Sequence, residues 1–476
     1  MKIVILGAGQ VGASVAESLV SEDNDITIVD SDPERLQQLQ DHLDLRTVVG
    51  NAATPSALHD AGLEDADMLI AVTQSDQTNL VACKVAHSIF NVPMRIARLR
   101  STDFLESETL LKPENFAVDF ALCPEQVITD YIIKLIEFPE ALQVLSFAKD
   151  RVALVAVRVY AGGLMVGKPI KEMSDHLTAG VEARIAAIFR RDRPITPTGD
   201  TVIEDGDEVF VLAADEHIRF VLREMRRMMK PVVRVMIAGG GNIGLRVARA
   251  LEHKYQVKII EGSRTRAELI ANTLQETLVL RGDATDEDLL QQEAIDEMDL
   301  FLALTNDDEN NIMAASLAKR MGCKRVVALI NRRAYAEIVQ GGPIDIAISP
   351  AQVSIGALLA HVRHGDVAQV HSLRRGAAEA LEIVAHGDRK TSKAVGRRIG
   401  ELPVIPGATL AVIVRDFDKI EDVGYQGMAM RKRMGHVVIA HKDEVIQSGD
   451  HVIVFCLNKK VVKKVEQLFQ VSVGFL

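Results

Sequence analysis

Short apolar runs that break abruptly into glycines organise this chain. Residues 3–6 (IVIL) lead into Gly7-Ala8-Gly9-Gln10-Val11-Gly12, and residues 235–238 (VMIA) lead into Gly239-Gly240-Gly241-Asn242-Ile243-Gly244. Helix-like apolar spacing follows each, over 13–19 and 245–251. An unbroken apolar run predicts a strand buried on both faces, and the 3.6-residue spacing predicts a helix packed on it. The three glycines Gly7, Gly9 and Gly12 return 232 positions later as Gly239, Gly241 and Gly244. Strand and helix patterns then alternate through residues 1–123, and again through 231–349.

A strand, a G-x-G-x-x-G loop and a helix predict a dinucleotide-binding turn. The first glycine allows the tight turn, the second lets backbone approach a pyrophosphate, and the third lets helix and strand come close. The helix start then offers free N–H groups and a positive dipole end. A ribose needs a carboxylate at the end of the next strand, and ITIVD ends at Asp30 while VKIIE ends at Glu261. An acid there accepts both ribose hydroxyls and repels a 2′-phosphate, which favours NAD over NADP and also suits ATP or ADP. Asp32 strengthens the acid signal in the first half; Arg264 and Arg266 blur it in the second.

The repeat continues in register. Gly50 in VVGNAATP matches Gly282 in VLRGDATD, and Thr73, Asp76 and Asn79 match Thr305, Asp308 and Asn311. Asp76 and Asp308 are expected to cap the helices they precede. The expected fold is α/β: two tandem Rossmann-like, doubly wound parallel sheets that bind ligands beyond the carboxyl ends of their strands.

Pro124 and Pro350 each open a helix pattern with a wide apolar stripe, suited either to the chain's own sheet or to a partner subunit. A smaller unit follows each. Its copies are carried by EDGDEVFVLA and IQSGDHVIVFC, and the second copy has extra Lys-, Arg-, Met- and Gly-rich residues around 416–435. The expected division is therefore 1–123, a linking helix over 124–143, a small unit over 144–230, then 231–349, a linking helix over 350–372, and a small unit over 373–476.

Composition narrows the class. Hydrophobic residues make up 48% of 476 residues, aromatics only 4%, and Trp is absent, as suits Val/Ile/Ala-rich parallel sheets. The net charge of −11 argues against a nucleic-acid binder. Four scattered cysteines read as reduced core residues. The chain opens inside a strand pattern and has no run of 18 apolar residues, so neither a signal peptide nor a membrane span is expected.

Three features invite other chemistry. Gly162–Lys168 (GGLMVGK) resembles a phosphate loop, but Pro169 stands where Ser or Thr would hold Mg²⁺. His361, His364, His371 and Asp366 lack clean metal-ligand spacing, so no metal site is expected. Basic clusters at Arg223, Arg226, Arg227 and Lys230, and at Lys459, Lys460, Lys463 and Lys464, read as solvated helix faces or as docking surfaces near anionic headgroups. An NAD-dependent oxidoreductase is the main alternative, yet no Tyr has a Lys four residues on and neither small unit offers a Cys–His or carboxylate pair.

The motif 7–12 with Asp30, Gly50-Asn51-Ala52 and 71–79, repeated in the second half, resembles the TrkA family, cytosolic regulatory subunits of Trk potassium uptake with tandem RCK (KTN) domains. The resemblance covers essentially the whole chain. It implies a small α+β RCK C-terminal domain after each Rossmann-like domain, and binding of NAD(H) and ATP/ADP. It also implies self-association into a dimer or tetrameric ring, and docking onto a membrane-embedded Trk potassium-translocating subunit from the cytoplasmic face. It implies no catalytic residues. Phosphate and ribose contacts then fall on Gly7, Gly9, Gln10, Val11, Gly12, Asp30, Asn51, Ala52 and Thr73, with Arg98 and Arg100 as basic residues near the nucleotide. Their second-half counterparts are Gly239, Gly241, Asn242, Ile243, Gly244, Glu261, Asp283, Ala284 and Thr305. There the arginine pair is replaced by Leu329 and Asn331, with Arg332 just beyond.

Overall fold

The computed structural model describes residues 1–20, 24–178, 180–191, 193–226, 228–339, 342–363, 366–373, 377–417, 420–425, 428–433 and 435–471. Strands β1 (Lys2–Leu6), β2 (Asp25–Asp30), β3 (Arg46–Val49), β4 (Met68–Ala71), β5 (Met94–Arg98) and β6 (Phe120–Leu122) form a parallel sheet of order β3-β2-β1-β4-β5-β6. Next come β7 (Ala141–Phe147), β8 (Val152–Arg158), β9 (Ala183–Arg190), β10 (Arg193–Ile195) and β11 (Glu208–Ala214), an antiparallel sheet of order β10-β9-β11-β8-β7. The parallel pattern returns in β12 (Arg234–Ala238), β13 (Gln256–Glu261), β14 (Leu278–Arg281), β15 (Leu300–Ala303), β16 (Val326–Leu329) and β17 (Ile346–Ile348), ordered β14-β13-β12-β15-β16-β17. Last are β18 (Val367–Leu373), β19 (Ala378–Val384), β20 (Ala408–Arg415), a hairpin of β21 (Ile420–Tyr425) and β22 (Met428–Arg433), β23 (His436–Ile439) and β24 (His451–Cys456). The closing sheet runs β18-β19-β24-β20-β23. Two Rossmann-like parallel sheets and two antiparallel sheets thus alternate along the chain.

The chain forms two compact units, one of Met1–Asp130 with Arg234–Leu358 and one of Tyr131–Val233 with Leu359–Leu476. In the first, apolar runs become central strands: Ile3 pairs with Ile26 on one side and Met68 on the other. Helices on both faces of such strands bury Ile3, Ile5 and Leu6 completely or nearly so. Side-chain caps start the helices that follow. Asp32 accepts hydrogen bonds from Glu34 N and Arg35 N ahead of helix Pro33–Gln40, and Asp286 does the same for Glu287–Gln292. Each parallel sheet reverses its winding at the crossover from β3 to β4, or from β14 to β15, which opens a crevice between β1 and β4 and between β12 and β15 at their carboxyl ends.

The second unit departs from a picture of two separate small modules. Its two antiparallel sheets share one core, in which Phe147, Phe210 and Phe455 are buried and the Phe210 and Phe455 rings lie 5.5 Å apart. Edge strand β7 begins, and β18 almost wholly lies, within stretches whose sequence reads as linking helix; the helices end at Glu137 and Val362. Of the apolar stripe Val127, Ile128, Tyr131, Ile132, Leu135 and Ile136, this chain buries Ile128, Ile132, Leu135 and Ile136 and leaves Val127 and Tyr131 partly exposed.

One ion pair occurs in both copies of the antiparallel sheet. Asp207 accepts from Arg190 Nε and Nη2 (each 2.9 Å) and from Glu204 N, while Arg190 Nη2 also reaches Val202 O. Asp450 accepts from Arg415 Nε (3.1 Å), Arg415 Nη2 (3.2 Å) and Gln447 N, while Arg415 Nη2 reaches Val445 O. Each aspartate is essentially inaccessible, so its charge depends on that arginine. Asp207→Ala should cost about 2–3 kcal/mol of stability, less than a fully buried pair because Arg190 reaches solvent. Urea denaturation at neutral pH measures this.

Candidate functional site

Both glycine loops open onto one cleft of about 2180 Å³ inside the first unit. The helices start earlier than the apolar spacing suggests, at Gln10 and Asn242, inside the motif itself. Their first N–H groups therefore lie at the cleft edge without intrahelical acceptors. Gly7 has φ +102° and Gly239 φ +100°, the left-handed turn that a side chain would strain. A Cβ on Gly12 would sit 1.8 Å from Gly7 O, and one on Gly244 would sit 1.9 Å from Gly239 O. A Cβ on Gly9 or Gly241 would meet no atom within 4 Å. The first and third glycines thus shape the protein, and the second leaves bare backbone facing the cleft.

The strand-end carboxylates are held by backbone donors. Asp30 accepts from Ala8 N (2.6 Å) and Asp32 N (2.9 Å); Glu261 accepts from Gly240 N (2.8 Å) and Ser263 N (2.8 Å). One carboxylate therefore clamps its own strand end to the glycine loop in each half. Arg266 Nε donates to Gly240 O (2.7 Å) and lines the cleft, while Arg264 pairs with Glu268 on the surface. Asn51 and Asp283 turn the next loops by accepting from Ala53 N and Thr285 N. The Thr285 backbone and hydroxyl hold the Asp283 carboxyl below the usual carboxylate range.

A buried asparagine ties the next two strand ends together. Asn79 Oδ1 accepts from Thr73 N (3.0 Å) and Thr73 Oγ1 (2.7 Å), and Asn79 Nδ2 donates to Arg98 O (2.8 Å). Asn311 repeats this with Thr305 N (2.9 Å), Thr305 Oγ1 (2.6 Å) and Leu329 O (2.9 Å). Asp76 and Asp308 do not cap their helices; Ser75 and Asp307, one residue earlier, accept from Thr78 N and Asn310 N. Asp76 instead receives Arg100 N and Ser101 N, and Asp308 receives Asn331 N and Arg332 N. These bonds align Arg98 with Leu329 and Arg100 with Asn331.

Eighteen of the twenty-one predicted contact residues line this cleft: Gly7, Gly9, Gln10, Val11, Asp30, Asn51, Ala52, Thr73, Arg98, Arg100, Gly239, Gly241, Asn242, Ile243, Glu261, Asp283, Ala284 and Thr305. Gly12 and Gly244 lie beneath the loops, and Asp32 serves as a helix cap. Two contributors escaped sequence reading. Glu125, in the first turn of helix Pro124–Glu137, has Oε1 3.3 Å from Arg98 Nη2 and 3.4 Å from Arg100 Nε. Arg246, on the second glycine-loop helix, donates to Arg100 O (2.9 Å) and to Gln126 Oε1 (3.1 Å). No local pattern marks Arg246; only the fold brings it to the first site.

The decoys resolve differently. Lys168 N donates to Met165 O and Lys168 Nζ lies 3.0 Å from His176 Nε2, so the GGLMVGK backbone forms an ordinary turn. His371 is half-buried with Nε2 3.0 Å from Ser146 O, Asp366 lies 3.5 Å from His386, and His364 falls outside the described residues. Among the described residues no group of three His, Cys, Asp or Glu could hold a metal ion. Arg226 stacks over the Tyr160 ring at 5.2 Å and donates to Glu140 O, whereas Arg227 lies outside the described residues. Among the described residues no helix is long and apolar enough to cross a membrane.

Two parallel sheets with paired glycine loops and acids, followed by antiparallel domains, define a chain of tandem nucleotide-binding-type and RCK-type domains. The TrkA-N domain family matches residues 3–116 and 235–350, and the TrkA-C domain family matches residues 154–226. The chain is 53% identical to the Trk system potassium uptake protein TrkA of Vibrio alginolyticus and 52% identical to that of Halomonas elongata, each over 100% of both chains. Among solved structures it resembles the GsuK RCK domain (TM-score 0.59, 17% identity, 98% of this chain and 94% of that one). It also resembles the GsuK channel bound to NAD (TM-score 0.60, 17% identity, 98% and 78%). The chain belongs to the TrkA family of Trk system potassium uptake proteins, regulatory subunits of potassium uptake.

The glycine geometry separates folding from binding. Gly12→Ala should destabilise the protein by about 1–3 kcal/mol through overpacking against Gly7 O. Gly9→Ala should leave the melting temperature within a degree or so while reducing NADH binding, since its methyl meets no protein atom. Thermal melts and NADH titrations on both variants decide this.

Proposed function

We propose that this chain is a non-enzymatic, peripheral cytosolic regulator on the inner face of the cell membrane. It binds NAD(H) and ATP or ADP and gates potassium movement through a membrane-embedded Trk subunit. The observation that carries this reading is the pair of glycine–carboxylate loops facing one cleft, with Arg98 and Arg100 lining it at and beyond the end of β5, where the second half has Leu329 and Asn331 and carries Arg266 and Arg281 elsewhere on its lining. Asp30 and Glu261 supply the ribose carboxylates, and the helix starts at Gln10 and Asn242 supply donors for phosphate. Family membership supports potassium uptake as the process served, and the GsuK channel, similar in fold, is a protein solved bound to NAD.

Gating requires that ligands bind two arrangements with different affinity. ATP and ADP differ in their terminal phosphates and NAD(H) has only a bridging pyrophosphate, and Arg98 and Arg100 are the residues we assign to reading that difference. Each sheet's last β-strand runs into a helix that begins at the cleft, with Pro124 and Pro350 among its lining residues. A ligand-dependent shift of those helix starts would pass to a self-associated dimer or ring and to the docked transporter.

Arg100→Ala should reduce the preference for ATP over ADP by about tenfold, the scale of a charge-assisted contact. Calorimetry on both nucleotides checks this, and unchanged discrimination removes Arg100 from the role. Asp30→Ala should weaken NADH binding by about 1.5–3 kcal/mol, a charged hydrogen bond left unmade. Potassium uptake in cells with and without the chain, and with the Asp30 variant, tests the function itself.

A further inference from the structure

We propose that Glu125 is a resident counter-ion that competes with a ligand's terminal phosphate for Arg98 and Arg100, and so sets the site's selectivity for polyphosphates. The inference rests on the reading of Arg98 and Arg100 as phosphate-facing residues.

A single oxygen, Glu125 Oε1, lies between two guanidinium groups, 3.3 Å from Arg98 Nη2 and 3.4 Å from Arg100 Nε. Both contacts are long for charge-assisted bonds, and neither is bidentate. Arg98 Nε and Arg100 Nε have no hydrogen-bond partner although both are buried. The side chains of Arg98 and Glu125 are 11% and 9% exposed, so solvent screens them weakly. Burial pulls the Arg98 guanidinium below its ordinary value, and Arg100 adds to that pull. Glu125 is the carboxylate within ion-pair distance of both guanidinium groups, while Asp76, whose charge also acts on Arg98, is held by the Arg100 and Ser101 amides. A terminal phosphate carries more charge and three acceptor oxygens, so it satisfies the donors that Glu125 leaves unmet.

The second half of the chain supplies an internal comparison. Its framework is intact: Asn311 still binds the carbonyl at the Arg98 position, Asp308 still receives the amide at the Arg100 position, and a proline still opens the linking helix. Yet Arg98, Arg100 and Glu125 are replaced by Leu329, Asn331 and Ala351. The arginines and their carboxylate are lost together while everything that positions them stays. A carboxylate needed only to start the helix would have no reason to follow the arginines. Glu125 lies in that helix's first turn, where its charge also suits the dipole, and its backbone oxygen accepts from Thr129 Oγ1. Displacement by phosphate therefore changes what holds the start of helix Pro124–Glu137.

The test is calorimetry of ATP, ADP and NADH on the full-length protein and on Glu125→Gln, Glu125→Ala and Arg100→Ala. Removing the competing charge should raise ATP affinity about tenfold in both Glu125 variants, with a smaller gain for ADP and NADH within about twofold. The unliganded Glu125→Gln protein should melt lower than the native one, and ATP should restore the difference. Unchanged or weakened ATP binding in both Glu125 variants, with Arg100→Ala still weakening ATP, would overturn the counter-ion role and leave the arginines' role standing. If Arg100→Ala binds ATP normally, the phosphate-facing reading falls too.

Discussion

In each parallel sheet a helix lies too close to its strand for any side chain, and the binding cleft depends on that closeness. Gly12 and Gly244 bring the helix axis down onto the carbonyls of Gly7 and Gly239. That approach puts the first helical N–H groups beside the strand-end carboxylate instead of above a packed side chain. Asp30 and Glu261 then hold the loop by its own amides. The carboxylate so positioned is both a structural clamp and a charged acceptor at the cleft. Buried asparagines extend the same logic to the next strands, since Asn79 and Asn311 satisfy strand-end groups that no ladder partner reaches.

With one framework built twice, the differences between halves carry the functional information. The framework bonds superpose residue for residue, so the change from Arg98, Arg100 and Glu125 to Leu329, Asn331 and Ala351 alters charge without altering backbone. Arg246 then connects the two halves, reaching from the second loop's helix to the Arg100 carbonyl and to Gln126. The two glycine loops thus face one cleft, and direct hydrogen bonds join the halves that carry them.

The antiparallel domains show a different economy. Strands β9 and β20 each end in an arginine that reaches the aspartate just before β11 or β24, and the two copies agree in every bond to that aspartate. Burying Asp207 and Asp450 completely makes the turn geometry insensitive to solvent. The two sheets then share one aromatic core, so neither copy needs to be stable alone.

The sequence by itself determined the two sheets, their loops and most of the cleft lining, because glycine spacing and strand-end acids are local consequences of backbone geometry. It also identified the Arg98 and Arg100 substitution, since the repeat supplies its own alignment. The helix caps at Ser75 and Asp307 were off by one residue, because Asp76 and Asp308 are equally good cap types and only the strand-end amides reveal their use. Glu125 and Arg246 carry no local signal; both acquire their contacts from neighbours far away in sequence. The shared core of the antiparallel sheets was likewise invisible, because an apolar strand face has the same pattern whichever sheet covers it. Tertiary structure alone decides which charges meet, since pairing depends on distance and burial, and neither is written in residue order.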